Sequence, residues 1–433
     1  MIWDWRVPIL EKGDGLPWRL LLPRAGRRRQ GVPPPEPVKS RVLNRELAVS
    51  VFATSMASLP AFLVGALAVQ IRQSFPLSTA ELGAAVTCYY LGAAVWAVPS
   101  GKVAEYFGGI RVLRLTPLIG AALLLAIAGF ASSWWLVTLL LFPAGMVSSA
   151  TATATNLFLA VRGRPDRQGT VFGIKQAAVP LATLLGGVAV PTVALTVGWR
   201  YAFVLAALAS IVTAIAIPRP RSDFTTYRQR ARSSASPQLD RLPLALLATG
   251  LGLGMLAASG IAAFLVSSAV AGGLARSSAG LLAAGAGAVT VAVRILAGAR
   301  ADRSGKGSLP TVAAMMLAGA GGFLVLGAGQ IAGAGLLVAM GALAASGLGW
   351  GWNGLLNYAV VDAYRKAPAR ATGVTQLGGR LGGMVGPILL GLVISHLGYG
   401  YGWITAAIAA TLAAAATLAG SRLLDRAGSG KPA

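Results

Sequence analysis

Twelve long apolar runs, each closed by a short polar stretch, limit what this chain can fold into. They fall at about 47–70, 81–99, 112–131, 134–161, 168–194, 199–217, 243–270, 277–299, 309–331, 333–361, 371–396 and 399–420. Most hold the roughly 20 residues with which a helix crosses a bilayer core. They are rich in Ala, Leu, Val and Gly and lack the alternation of a membrane β-strand. With 55% apolar and 12% charged residues, both a soluble multidomain protein and a disordered chain are excluded. A single cysteine, Cys88, excludes a disulfide-stapled secreted fold. The expected fold is an all-α membrane protein of twelve transmembrane helices.

Charge then sets the topology. There are 37 Lys and Arg against 13 Asp and Glu, a formal +24. A nucleic-acid binder could carry that excess, but not on these apolar runs, so no nucleic-acid partner is expected. Residues 1–46, the even-numbered connections and the C-terminal tail together hold 31 of the 37 basic residues. The odd-numbered connections hold only Arg72, Arg200 and Arg276. Basic loops stay on the cytoplasmic side, so both termini should be cytoplasmic and the chain should sit in a cell (inner) membrane. The N-terminal stretch lacks the apolar core of a signal peptide. Its tryptophans, arginine run and prolines read as a tail near anionic headgroups, or as a plain extension. The basic, Ser-rich stretch 218–242 reads as a cytoplasmic linker. The expected organisation is therefore a tail (1–46), a six-helix bundle (47–217), the linker (218–242), a second bundle (243–420) and a short tail (421–433).

The two bundles repeat each other. Gly101-Lys-Val-Ala-Glu105-Tyr-Phe-Gly108 follows the second run, and Gly298-Ala-Arg-Ala-Asp302-Arg303-Ser-Gly305 follows the eighth, 197 residues on. Gly173-Ile-Lys-Gln176 in the fifth run is matched by Gly373-Val-Thr-Gln376 in the eleventh, 200 residues on. Two unrelated motifs with nearly one offset point to two halves in the same orientation.

Over 47–420 the chain resembles the major facilitator superfamily, on the loop motif G-x-L-A-D-R-x-G-R/K. The copy at Gly298 matches well, with Arg300 at a usually apolar position. The copy at Gly101 is degraded, with Glu105 for Asp and Tyr106 for Arg. The resemblance implies two pseudo-symmetric six-helix bundles that rock about a central site. It also implies that Gly101, Glu105, Gly108, Gly298, Asp302, Arg303 and Gly305 form conformational clasps to neighbouring helix ends. The plainer role of Asp302 and Arg303 is to cap and anchor helix ends.

Ionisable residues inside spans are costly, so each is a candidate for function. All thirteen carboxylates fall in tails, loops or at span ends, whereas Lys175, Arg294 and Arg380 fall inside spans. An exporter of cationic drugs needs an embedded acid, and none is evident. A cavity lined by cations favours an anion, which the planar fork of an arginine can hold through two hydrogen bonds. Arg294 resembles the helix-eight arginine, and Arg380 the helix-eleven base, of monocarboxylate transporters and the oxalate–formate exchanger. Lys175 has no counterpart there. The plainer role of each is a pairing with helix-end carbonyls or with an acid such as Asp362.

Other polar residues are candidates for the same cavity. Trp350, Asn353 and Asn357 fall at i, i+3 and i+7 and mark one stripe of span ten, with Trp352 nearby. Gln176, Gln376 and Asn156 bring further amides, and Tyr89 and Tyr90 lie mid-span in span two. Such groups need partners in hydrocarbon, so they should face the cavity or a neighbouring helix. The glycines of spans five and eleven read as helix-packing faces, and Pro60 and Pro180 as kinks. His396 and Cys88 stand alone, and no phosphate-cradling loop is present, so neither metal, cofactor nor enzymatic chemistry is expected.

These features imply a secondary transporter, expected as a monomer, for a small organic anion, most plausibly a carboxylate. Exchange and proton symport both remain open as coupling modes. An efflux pump for drugs or amphipathic metabolites and a non-transporting sensor or scaffold are the alternatives.

Overall fold

A computed structural model describes residues 40–162, 168–218, 240–305, 307–365 and 367–428. The tail before residue 40, most of the 218–242 linker, Lys306 and the tail beyond residue 428 lie outside the described residues. Every regular element described is helical. Eleven helices are long and apolar enough to cross a membrane, and a bent pair, Thr79–Val95 with Ala97–Phe107, makes a twelfth span.

In order, span one is Ser40–Ala66 with Ala68–Ser74, span two is that bent pair, span three is Gly109–Phe130 and span four is Trp134–Arg162. Span five is Gln168–Gln176, Ala178–Ala189 and a π-helical turn at Val190–Ala194, and span six is Trp199–Ala216. The second half repeats the series as Arg241–Ala271, Arg276–Ser304, Leu309–Ala332, Gly335–Gly351 with Asn353–Ala363, Pro368–Leu397 and Tyr399–Gly428. The close boundary near 331–333 is real. Gly333 takes φ +63, the left-handed conformation that ends a helix without a Cβ clash.

Prolines act unevenly. Span one runs through Pro60 as helix and breaks instead at Leu67. Span five breaks at Ala177, three residues before Pro180. Both tails are shorter than the sequence reading expects. Span one begins at Ser40, so Glu46, expected in the tail, lies inside this helix and is only 3% exposed, and the last span runs on to Gly428.

Spans seven and eleven pack through small residues. Gly378, Gly382 and Gly386 lie four residues apart and face Ala248, Gly252 and Leu256, also four apart. A Cβ on Gly382 would collide with the Gly252 carbonyl, so this face tolerates no side chain. Between the halves, spans one and seven, two and eleven, and five and eight pair off. We call the end carrying the two loop motifs the motif end. At the opposite end all three pairs are closed, at Gly65 against Ala262, Gly391 against Thr79 and Gly187 against Gly280.

Candidate functional site: a central cavity between the halves

The helix breaks sit at mid-depth, and the cavity forms beside them. Span two bends by 50° at Trp96, span five breaks at Ala177 and span ten at Trp352. Between them lies a cavity of about 170 Å³. Phe62, Tyr89, Tyr90 and Trp350 form its aromatic wall. Phe62 of the first half stacks on Trp350 of the second, with centroids 5.9 Å apart.

Arg294 is 2% exposed and is held by backbone. Pro180 has no N–H, so the Gln176 carbonyl lacks its usual helical donor, and Arg294 Nη1 donates to it. Arg294 Nη2 donates to the Trp350 carbonyl at 2.9 Å, beside the break in span ten. Its guanidinium also lies over the Trp350 ring, 5.3 Å from the centroid. Arg380 of span eleven reaches into the first half. Its Nη1 donates to the Ala93 carbonyl, just before the bend in span two, and to Ser149 Oγ of span four at 2.9 Å. Neither arginine has a carboxylate partner among the described residues. Asp362 is taken up by Arg365 and by the Gly307 N–H.

A chain of amides crosses between the halves. Gln176 Nε2 donates to Asn353 Oδ1 at 2.7 Å, Asn357 Nδ2 to the same oxygen at 3.0 Å, and Gln376 Nε2 to Asn357 Oδ1 at 2.6 Å. The two repeat-related glutamines thus end on one network. Asn353 Nδ2 meets only the Met255 thioether, a weak acceptor, at 3.4 Å.

The structure brings Tyr89, Tyr90, Gln176, Arg294, Asn353, Gln376 and Arg380 to the cavity lining. Four expected residues are placed elsewhere. Asn357 stands behind Asn353 as its buried support. Trp352 is fully buried in the second half's core, with Nε1 bonded to the Gly349 carbonyl. The stripe turns it away, because it sits two positions from Trp350, on the other side of the helix. Lys175 is bonded to Asn156, and neither lines the cavity. Sequence reasoning missed Phe62, Ser58, Ser148, Ser149 and Met255. The adjacent hydroxyls Ser148 and Ser149 in a largely apolar span were the available signal.

At the motif end the two loop copies behave differently. The Asp302 carboxylate caps the first turn of span five across the halves. It accepts from Gly169 N at 2.7 Å, Thr170 N at 2.8 Å and Thr170 Oγ1 at 2.5 Å. The two N–H groups lie in the first turn, where the helix itself supplies no acceptor, at the positive end of the helix dipole. Gly298 and Gly169 allow the approach, since a Cβ on Gly169 would lie 2.6 Å from the Gly298 carbonyl. Gly305 ends span eight at φ +69, and Arg303 is exposed. In the first copy, Gly101 has no neighbour near its Cβ position, Glu105 and Tyr106 are exposed, and Gly108 turns the chain at φ +87. The bend in span two carries this segment onto spans three and four.

The Major Facilitator Superfamily profile matches residues 50–387. The chain belongs to this superfamily. It is a multi-pass membrane transporter and not an enzyme. No curated protein sequence matches it. Its fold is similar to that of a bacterial homologue of the human lysosomal transporter Spinster, in an inward-facing, occupied conformation. That likeness has 16% identity and a TM-score of 0.66, and covers 89% of this chain and 97% of that one. A D-xylose–proton symporter gives 16% identity and a TM-score of 0.66, covering 86% and 97% respectively. At such identities the likeness describes the superfamily fold and leaves the cargo open. Among the described residues, no group of His, Cys, Asp and Glu could hold a metal ion.

Proposed function

We propose that this protein is a secondary transporter of a small organic anion, a carboxylate, in a cell (inner) membrane with the motif end cytoplasmic. The observation that carries the reading is the lining itself: two guanidinium groups and no carboxylate. The protein partners of Arg294 and Arg380 are neutral carbonyls and a hydroxyl, which leave a net positive charge in a low-dielectric space. A bound anion neutralises that charge, and the halves then rock with the site occupied. This favours exchange of anions or entry of an anion with a proton. Asp302 acts as a releasable latch, because its partners on span five belong to the other half.

The test is uptake of radiolabelled acetate, lactate, benzoate and succinate into proteoliposomes. Arg380→Gln should abolish the uptake seen with wild type. The reading is falsified if no carboxylate is taken up, or if Arg380→Gln leaves uptake intact. Efflux of an amphipathic compound is the second reading, favoured by the stacked Phe62–Trp350 wall. A deletion strain that loses drug resistance, with no carboxylate uptake by the pure protein, supports it instead.

A further inference from the structure

Arg380 does not present its whole guanidinium to the cavity. Both bonds it makes use Nη1, to the Ala93 carbonyl and to Ser149 Oγ at 2.9 Å. The edge formed by Nε and Nη2 has no acceptor among the described residues. That edge is itself a two-pronged fork, matched in spacing to the two oxygens of a carboxylate. Both anchors also belong to the first half, on spans two and four, while Arg380 belongs to span eleven. The fork is therefore aimed only when the halves are together at this depth.

Span four holds Ser149 in place for a local reason. Ser149 is 2% exposed, and its neighbours along the helix are small: Ser148, Ala150, Thr151 and Ala152. Small side chains let span eleven's arginine reach the helix surface. Removing the hydroxyl leaves Nη1 one acceptor instead of two and lets the guanidinium turn about its Cδ–Nε bond. The charge stays, but the fork loses its aim.

Resting on the organic-anion reading above, we infer that Ser149 is a positioning residue. It pins Arg380 Nη1 so that a substrate carboxylate binds side-on to Nε and Nη2. Because the pin lies in the opposite half, the complete receptor exists only in the closed-up cavity, and binding favours occlusion.

The experiment measures initial rates of uptake in proteoliposomes for whichever of labelled acetate, lactate, benzoate and succinate the wild type transports. Ser149→Ala should raise KM about tenfold with Vmax changed by less than about twofold, and Ser149→Thr, which keeps the hydroxyl, should recover most of the affinity. Arg380→Lys keeps the charge but has no fork to aim. In that background Ser149→Ala should add little, since two residues acting through one contact are not additive. An undiminished Ser149→Ala effect in Arg380→Lys overturns the inference, as does a wild-type KM in Ser149→Ala. Melting temperatures of the purified variants separate misfolding from misaim. If no carboxylate is transported at all, it is the functional reading that fails, and Ser149 is not at issue.

Discussion

Arg294 supplies to Gln176 the hydrogen bond that Pro180 withholds. The imide nitrogen of Pro180 carries no proton, so the carbonyl four residues earlier is left open, and a guanidinium from the other half fills it. A break in one helix and a cation in another are thus one structural unit.

This unit makes a testable pair. Arg294→Gln should lower the melting temperature of the purified protein, because it strands the buried carbonyls of Gln176 and Trp350. A stranded buried group costs about 1–3 kcal/mol. Pro180→Ala returns an N–H to Gln176, so the same Arg294→Gln change should destabilise less in a Pro180→Ala background. Thermal unfolding of the four proteins closes the cycle. Strictly additive losses would mean that the carbonyl is not what links the two residues.

Asp302 caps a helix that belongs to the other half, so its loss should act on gating more than on folding. N-cap replacements by alanine cost about 0.5–2 kcal/mol. Asp302→Ala is expected to slow transport several-fold with a small change in melting temperature. In a Cys88→Ala background, Thr170→Cys should become more reactive to a maleimide when Asp302→Ala is added. Unchanged reactivity together with wild-type transport would show that the cap is incidental. The matching change Glu105→Ala should do much less, because Glu105 is exposed and makes no hydrogen bond or ion pair among the described residues.

Trp352 separates what could be read in the sequence from what could not. The apolar runs located the spans, since length and hydropathy are properties of local sequence. The two internal repeats gave the expectation of two halves, and the loop motif at Gly298 pointed to Asp302, whose carboxylate caps span five. The facing of side chains within a span was harder, because an Ala- and Gly-rich helix has apolar residues on every side and no stripe to orient it. Trp350 shares its helix face with Asn353 and Asn357 and lines the cavity, whereas Trp352, a candidate only by its nearness to that stripe, fills the core. Glu46 was misplaced for a related reason: its helix starts inside a basic stretch that carries no apolar signal. Arg294 and Arg380 stood out by their charge, but their carbonyl partners are set by helix breaks, and the break at Trp96, three residues before Pro99 as Ala177 is before Pro180, was not read from its proline.

The two tryptophans therefore predict different losses. Trp352→Ala empties a fully buried site and should cost about 3–5 kcal/mol in stability, as large aromatic truncations do. Trp352→Phe should leave the KM of any transported carboxylate near wild type. Trp350→Ala should instead raise KM, since it removes a cavity wall and the ring beneath Arg294. Uptake kinetics and thermal unfolding on the same preparations give both readings. A KM defect in Trp352→Phe, with stability unchanged, would return that residue to the cavity.

Gly187 and Gly382 both sit where a methyl group has no room, yet they should fail in different ways. At Gly382 the obstructing atom is the Gly252 carbonyl of span seven, in the same half. Relief there means distorting one bundle, and overpacking of this kind costs about 1–3 kcal/mol. Gly382→Ala should therefore lower the melting temperature. At Gly187 the obstruction is span eight of the opposite half, where a Cβ would lie 2.6 Å from the Gly280 carbonyl. Backbone cannot swing aside as a side chain can, so the halves must part at the end away from the loop motifs. That movement is one the transport cycle already makes, so it strains neither bundle. Gly187→Ala should keep its melting temperature, lose transport and hold that end open. The reporter is Ser267→Cys in a Cys88→Ala background, because Ser267 is buried near that end of span seven. A membrane-impermeant maleimide should label it faster with Gly187→Ala and no faster with Gly382→Ala. Equal labelling in the two variants would mean that the seam between spans five and eight does not govern access.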